Sequence, residues 1–226
     1  MTTAVLFVQN TSVSSIASFN DKISNEIPKI LDPWSFELKI YRTNAIVGKL
    51  LAGMNQQNTT QAKELISRVM YTLNLSYTPK QTISIVNNEV TIFNTDRSKG
   101  DELLDHGCST GFYDPIDSII QNKLNALWQP LQGLKGEGGN SYEVTLDEED
   151  VFIIRTANCF LHGGFKGFLV EMTYEKGGED GEEKIKSLIK KLNFPNGKLS
   201  FDKLGDGKEN KFFGDLAFQY TQALQI

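Results

Sequence analysis

Two cysteines in 226 residues, Cys108 and Cys159, are too few for a disulfide framework. A chain of this length does not need one, since it can bury roughly 70% of its unfolded surface. No apolar run approaches the roughly 20 residues that a membrane helix requires. The first residues, Met1, Thr2 and Thr3, carry no basic region and lead into only a short apolar run, so no secretory signal is expected. Basic residues are also in deficit. Against 28 acidic side chains stand 23 lysines and arginines, and the net charge of −5 argues against a surface built to neutralise phosphates. The longest basic cluster, Lys190 and Lys191 with Lys184 and Lys186 nearby, reads as the solvated face of a short helix. No nuclear import signal, internal repeat or long low-complexity segment stands out.

What is present is mostly strand pattern. Ala4 to Val8 is a short apolar run of the kind buried strands show. Trp34, Phe36, Leu38 and Ile40 alternate with polar neighbours, and Val69, Tyr71, Leu73, Leu75 and Tyr77 repeat that alternation before Pro79. Thr82 to Val86 and Val90 to Phe93 flank Asn87 and Asn88, a pair that tolerates positive φ and so predicts a hairpin. Val151 to Leu161 and Phe165 to Tyr174 flank Gly163 and Gly164, predicting a second hairpin. With Tyr142 to Leu146 the count is about eight strands. Helical spacing marks Ser12 to Ile27, with Ile16, Phe19, Ile23 and Ile27 on one face and Pro28 as its stop. Asp114 and Pro115 open a second helix carrying Ile116, Ile119, Ile120, Leu124, Leu127 and Leu131. Glu182 to Leu192 is a shorter one. Lys211 to Leu224 places Phe213, Leu216, Ala217, Tyr220 and Leu224 on a buried stripe. The expected fold is α+β: an about eight-stranded, mostly antiparallel curled sheet or barrel with helices packed against it, forming one domain over residues 1–226. The polar stretch from Gly48 to Ala62 reads as a surface loop.

The residues offer little chemistry. His106 and Cys108, with Cys159 and His162, make a nominal Cys2His2 set. The halves are about fifty residues apart, and H-x-C is a poor half-site, so no metal is expected. The glycines at Gly136, Gly138 and Gly139, and at Gly163, Gly164 and Gly167, do not continue into a phosphate-binding loop. Neither Ser109 nor Cys108 lies in a nucleophile turn. Metal-dependent phosphohydrolases of barrel form use E-x-E pairs on strands, and no strand here has one. The acidic run Asp147 to Asp150 reads as a solvated turn or as a patch for a basic protein. No catalytic residue and no cofactor are expected.

Several stretches, in order along nearly the whole chain, carry a family likeness. They are TAVLFVQ near the start, DPWSFELKIYR from Asp32, STGFYDPIDSIIQNKLNALWQ from Ser109, HGGFKGFLVEM from His162 and GDLAFQYTQAL near the end. Together they resemble the subunit 20 family of Mediator, the coactivator that bridges activators and RNA polymerase II. The resemblance implies a non-enzymatic nuclear protein with an antiparallel barrel decorated by helices. It implies a heterodimer with Mediator subunit 18 in the head module, tethered through the C-terminal helix of Mediator subunit 8. The family is also linked to contact with the TATA-binding protein. Nucleic acid and membrane are not expected as direct partners.

Three aromatic side chains are candidates for a partner interface. Phe218 lies about 140° from the centre of the last helix's buried stripe, at 100° per residue. A large aromatic there either packs under another element of the chain or meets a partner. Tyr41 and Phe93 each break a polar strand face in the same way. The competing readings are a carrier of one apolar ligand, since an eight-stranded barrel can hold one, and a metal-dependent phosphohydrolase. Phe36, Leu73, Tyr71 and Trp34 are large enough to fill the interior, which counts against the carrier.

Overall fold

The computed structural model describes residues 1–12, 14–44, 68–94, 116–146, 149–204 and 211–225. Among these are nine strands: β1 (Thr2–Gln9), β2 (Lys29–Thr43), β3 (Val69–Leu75), β4 (Gln81–Val86), β5 (Glu89–Asn94), β6 (Trp128–Leu146), β7 (Asp150–Leu161), β8 (Gly164–Tyr174) and β9 (Lys198–Ser200). Four helices accompany them: α1 (Ser15–Ser24), α2 (Ile116–Asn122), α3 (Gly181–Lys191) and α4 (Lys211–Ala223). The strands form an antiparallel sheet in the order β5-β4-β3-β2-β6-β7-β8-β1-β9, curled but not closed. The α+β class expected from the sequence holds. The additional strand is β9, which at three residues is too short to show a period. Two compact units are distinguishable, Met1–Leu38 with Leu134–Ile226, and Lys39–Gly133.

In the first unit, β1 pairs with β8 along its whole length, from Thr2 opposite Tyr174 to Gln9 opposite Gly167. Both strands are buried on both faces. Ala4, Leu6 and Val8, with Phe168, Val170 and Met172, join Ile16, Phe19 and Ile23 of α1 and Ile185 and Leu188 of α3 in one apolar core. Phe19 packs edge-on against Phe194, with ring centroids 4.7 Å apart. The alternate positions face α4, whose Tyr220 reaches Glu171 of β8. Cover on two sides is why β1 and β8 read as continuous apolar runs with little alternation. In β6, a Cβ added at Gly136 would run into the Phe36 ring, so only glycine lets β6 approach that side chain.

In the second unit, β3, β4 and β5 form an antiparallel meander. Asn87 (φ +50°) and Asn88 (φ +62°) are both left-handed, the geometry of a two-residue type I′ hairpin, as their side chains predict. A small apolar group of Tyr41, Met70 and Ile120 packs with Val86, Ile116, Leu124 and Trp128 around it.

Three sequence expectations are corrected. α1 runs Ser15–Ser24, not to Ile27. Ile27 is 92% exposed at φ +51°, and Pro28 disfavours the right-handed helical region for the residue before it, so the helix stops short. The helix expected to reach Leu131 ends at Asn122, and β6 begins at Trp128. Pro130 could not sit inside that helix, having no N–H and clashing with the preceding turn. In the β7–β8 hairpin the turn residues are His162 (φ +51°) and Gly163 (φ +76°), while Gly164 already pairs with Leu161.

Candidate interaction surface and buried carboxylates

The three aromatic candidates fall in different environments. Phe93, on β5 at one end of the strand order, is 36% exposed. Phe218 on α4 is half-buried, and its carbonyl accepts a hydrogen bond from Thr221 Oγ1 at 2.7 Å. Tyr41 is 1% exposed, packed with Met70 and Ile120, and its hydroxyl donates to Asp117 Oδ1 at 3.1 Å. On β2 the strand face that carries Tyr41 meets α2 at this point, where Asp117 bonds both Tyr41 and Lys39.

The nominal metal set is not assembled among the described residues. His106 and Cys108 lie outside them, as do the Gly48 to Ala62 loop and the cap Asp114. Cys159 is completely buried on β7, and burial pushes its thiol well above the ordinary range. His162 is exposed in the hairpin turn. Asp147 and Glu148 are also outside the described residues.

Among the described residues four carboxylates are buried, Asp117, Asp150, Glu171 and Asp215, of which the sequence analysis had read only Asp150, within the acidic run Asp147 to Asp150. Asp117 of α2 accepts four hydrogen bonds: from Lys39 Nζ at 2.9 Å, Tyr41 Oη at 3.1 Å, Thr72 Oγ1 at 2.8 Å and Asn74 Nδ2 at 2.9 Å. Burial alone would raise its pKa. The Lys39 ammonium, with Thr72 and Tyr41, outweighs that and holds the carboxyl below the usual range. Burial, then the Asp117 charge, pushes Tyr41 up to about 12. Asn74 in turn accepts from Thr82 Oγ1 at 2.6 Å, so β2, β3, β4 and α2 meet at one network.

Glu171 of β8 is 0% exposed. Arg155 Nη1 donates to its Oε1 at 2.7 Å, and Tyr220 Oη to its Oε2 at 2.7 Å. Arg155 and Glu171 are register partners in the β7–β8 ladder. Asp150, expected in a solvated turn, is also buried. Tyr174 Oη donates to it at 2.8 Å, and Lys184 of α3 binds its other oxygen. Those two bonds lower its pKa, and the Asp150 bond raises that of Tyr174. One signal in the sequence could have found Glu171, namely a glutamate in the middle of the apolar run from Phe168 to Tyr174.

Asp117, Glu171 and Asp150 therefore each fasten elements of this chain to one another, and no described pair of them forms an open acid–base or metal site. The sheet thus turns these acidic groups to its own construction and leaves an aromatic side chain, Phe93, exposed on an end strand.

The chain belongs to the Mediator subunit 20 family: the family model described as the TATA-binding related factor (TRF) of subunit 20 of the Mediator complex matches residues 1–225. It is 33% identical over 245 residues to Mediator of RNA polymerase II transcription subunit 20 of Debaryomyces hansenii, covering 100% of both chains. It is 30% identical to that of Saccharomyces cerevisiae, covering 99% of this chain and 98% of the relative. Among solved structures, the PH1012 protein from Pyrococcus horikoshii OT3 is 10% identical with a TM-score of 0.39, over 89% of this chain and 96% of that one, a likeness that carries no functional argument. As a member of the family the chain is a Mediator component and not an enzyme.

Proposed function

We propose that the chain pairs with Mediator subunit 18 in the head module and is held there through the C-terminal helix of Mediator subunit 8. Within that assembly it supports initiation by RNA polymerase II in the nucleus. Contact with the TATA-binding protein belongs to the same proposal. The observation that carries this reading is the family match over residues 1–225. The internal use of Asp117, Glu171 and Asp150 supports a role in binding over one in turnover. Residues 1–226 are proposed to act as one domain, since β2 and β6 each run unbroken from one compact unit into the other.

Phe93 and Phe218 are proposed as contact side chains, the first because it is exposed on an end strand and the second because it is half-buried while its helix neighbours Ala217 and Gln219 are buried. Tyr41, the third candidate, would act on the interface only through the Asp117 network behind it. Co-expression with Mediator subunit 18 tests the pairing. A stable 1:1 complex on size-exclusion chromatography is the expected outcome, and separate elution of the two chains would overturn it.

A further inference from the structure

Between α1 and β2 the chain makes a short turn that carries the two most exposed large apolar side chains among the described residues. Ile27 is 92% exposed and Ile30 is 78% exposed. The described chain runs unbroken through this region, from Ser14 to Asn44. Two backbone hydrogen bonds hold the turn: Glu26 N–H donates to the Ile23 carbonyl at 3.0 Å, and Ile27 N–H to the Ser24 carbonyl at 3.2 Å. Ile27 sits at φ +51°, in the left-handed region where a β-branched side chain is strained and glycine is not. Ile30 has the same strand parity as Trp34 and Phe36, which are each 3% exposed, but it lies before the stretch of β2 that becomes buried.

Isoleucine at position 27 therefore costs conformational energy and gains no burial within the chain, a combination that points to use of the side chain outside it. The charges beside it are one-sided. Glu26 and Asp32 bracket the two isoleucines, both are exposed, and neither carboxylate has an ion-pair or hydrogen-bond partner among the described residues. The cations close in sequence are engaged. Lys29 Nζ binds Glu143 Oε2 at 3.1 Å, and Lys22 Nζ donates to the Asn193 carbonyl at 3.3 Å. The turn thus presents two apolar anchors between two unpaired carboxylates.

Three extended residues separate the anchors by at most about 10 Å. Apolar side chains seven positions apart on an α-helix stand about 10.5 Å apart along its axis, with another of the same stripe between them. We propose that the Glu26–Asp32 turn docks a basic amphipathic helix of another protein. Its apolar stripe would meet Ile27 and Ile30, and its lysines or arginines would meet Glu26 and Asp32. The site lies wholly within the Met1–Leu38 and Leu134–Ile226 unit and does not depend on which Mediator subunits the chain joins.

The test titrates the full chain into a labelled leucine–lysine peptide of about five helical turns, with its leucines on one face, and follows fluorescence anisotropy. Two further peptides serve as comparisons: one of the same composition with the leucines scattered, and one carrying glutamate for lysine. The striped basic peptide should bind saturably, about tenfold or more tighter than either. Ile27→Gly removes the anchor and relieves the backbone, so binding should weaken about tenfold or more while the melting temperature holds or rises. Ile27→Asn, which also tolerates the left-handed region, should do the same and so separates loss of the anchor from a loosened turn. Ile30→Ser should weaken binding too, and Glu26→Gln with Asp32→Asn should flatten its dependence on salt. Leu199→Ser, at a leucine 38% exposed on β9, should leave binding unchanged. Equal binding of the three peptides, or wild-type binding in Ile27→Gly, would overturn the proposal. So would a dimer of the free chain that Ile27→Gly abolishes, which would give this face to a second copy of the chain. None of those results bears on the pairing with Mediator subunit 18, which co-expression tests separately.

Discussion

In the unit formed by Met1–Leu38 and Leu134–Ile226, Glu171 meets one guanidinium and one hydroxyl inside a sheet that carries a large apolar core on its other face. In the Lys39–Gly133 unit, Asp117 gathers four donors beside a small apolar group of Tyr41, Met70 and Ile120, with Leu73, Leu75, Ile83 and Ile85 also buried in that unit. The first unit has apolar burial enough to carry a desolvated ion pair as a cost. In the second, a carboxylate and its donors take over part of the work of joining helix to sheet. The difference teaches that a buried charge can be a burden in one half of a sheet protein and a fastening in the other. Mutation should separate the two cases.

The largest effect is expected at Arg155. Arg155→Met takes the guanidinium away from the buried Glu171 side chain and should lower stability by about 3–5 kcal/mol in urea denaturation. Adding Glu171→Leu to that variant should recover much of the loss, since a desolvated pair replaced by apolar groups is often neutral or better. If the double variant were as unstable as the single one, the pair in this unit would be a fastening after all.

The Asp117 network should respond differently. Asp117→Asn keeps the shape but removes the charge that Lys39 meets, at a cost of about 2 kcal/mol, and no apolar partner substitution should recover it. The pH dependence follows from the shifted groups. Asp117 titrates below its ordinary range in the fold, so its contribution is present above that range and is lost as pH falls through the folded value. Tyr41 is shifted the other way, from 10.0 to about 12, so its contribution is present below pH 10 and disappears as pH rises towards about 12. Urea midpoints between about pH 9 and about pH 12 should fall more steeply for the wild type than for Tyr41→Phe, and parallel curves would remove Tyr41 from the network.

The smallest effect is expected at the surface of the first unit. Lys29 and Glu143 pair at 3.1 Å with the lysine side chain 67% exposed. Lys29→Ala should change stability by less than about 1 kcal/mol, and less still at high salt.

Local chemistry made much of this fold legible in the sequence. The Asn87–Asn88 turn, the apolar run of β1 and the stripe of Leu216, Ala217, Tyr220 and Leu224 on α4 each signal their element through neighbouring residues alone. The first part of β6 was hidden for a tertiary reason. Its glycines resemble a loop until Phe36 is seen lying against Gly136, while Leu124, Leu127 and Leu131 imitate helical spacing across a turn. The buried carboxylates were hidden likewise, because Asp117 and its donors Lys39, Tyr41, Thr72 and Asn74 come from three separate segments. Exposure at Phe93 and burial at Tyr41 could not be told apart by strand period, since both sit where an aromatic interrupts an alternation.

Under the proposed function, surface aromatics would meet the partner while buried polar groups hold the sheet together. The most direct measurement is the affinity for Mediator subunit 18, with the melting temperature of the free chain, for Phe93→Ala, Phe218→Ala and wild type. For at least one of the two variants the account predicts a loss of about thirtyfold in affinity, about 2 kcal/mol, with the melting temperature little changed. Wild-type affinity in both variants, or a weakening that only follows a fall in melting temperature, would contradict it.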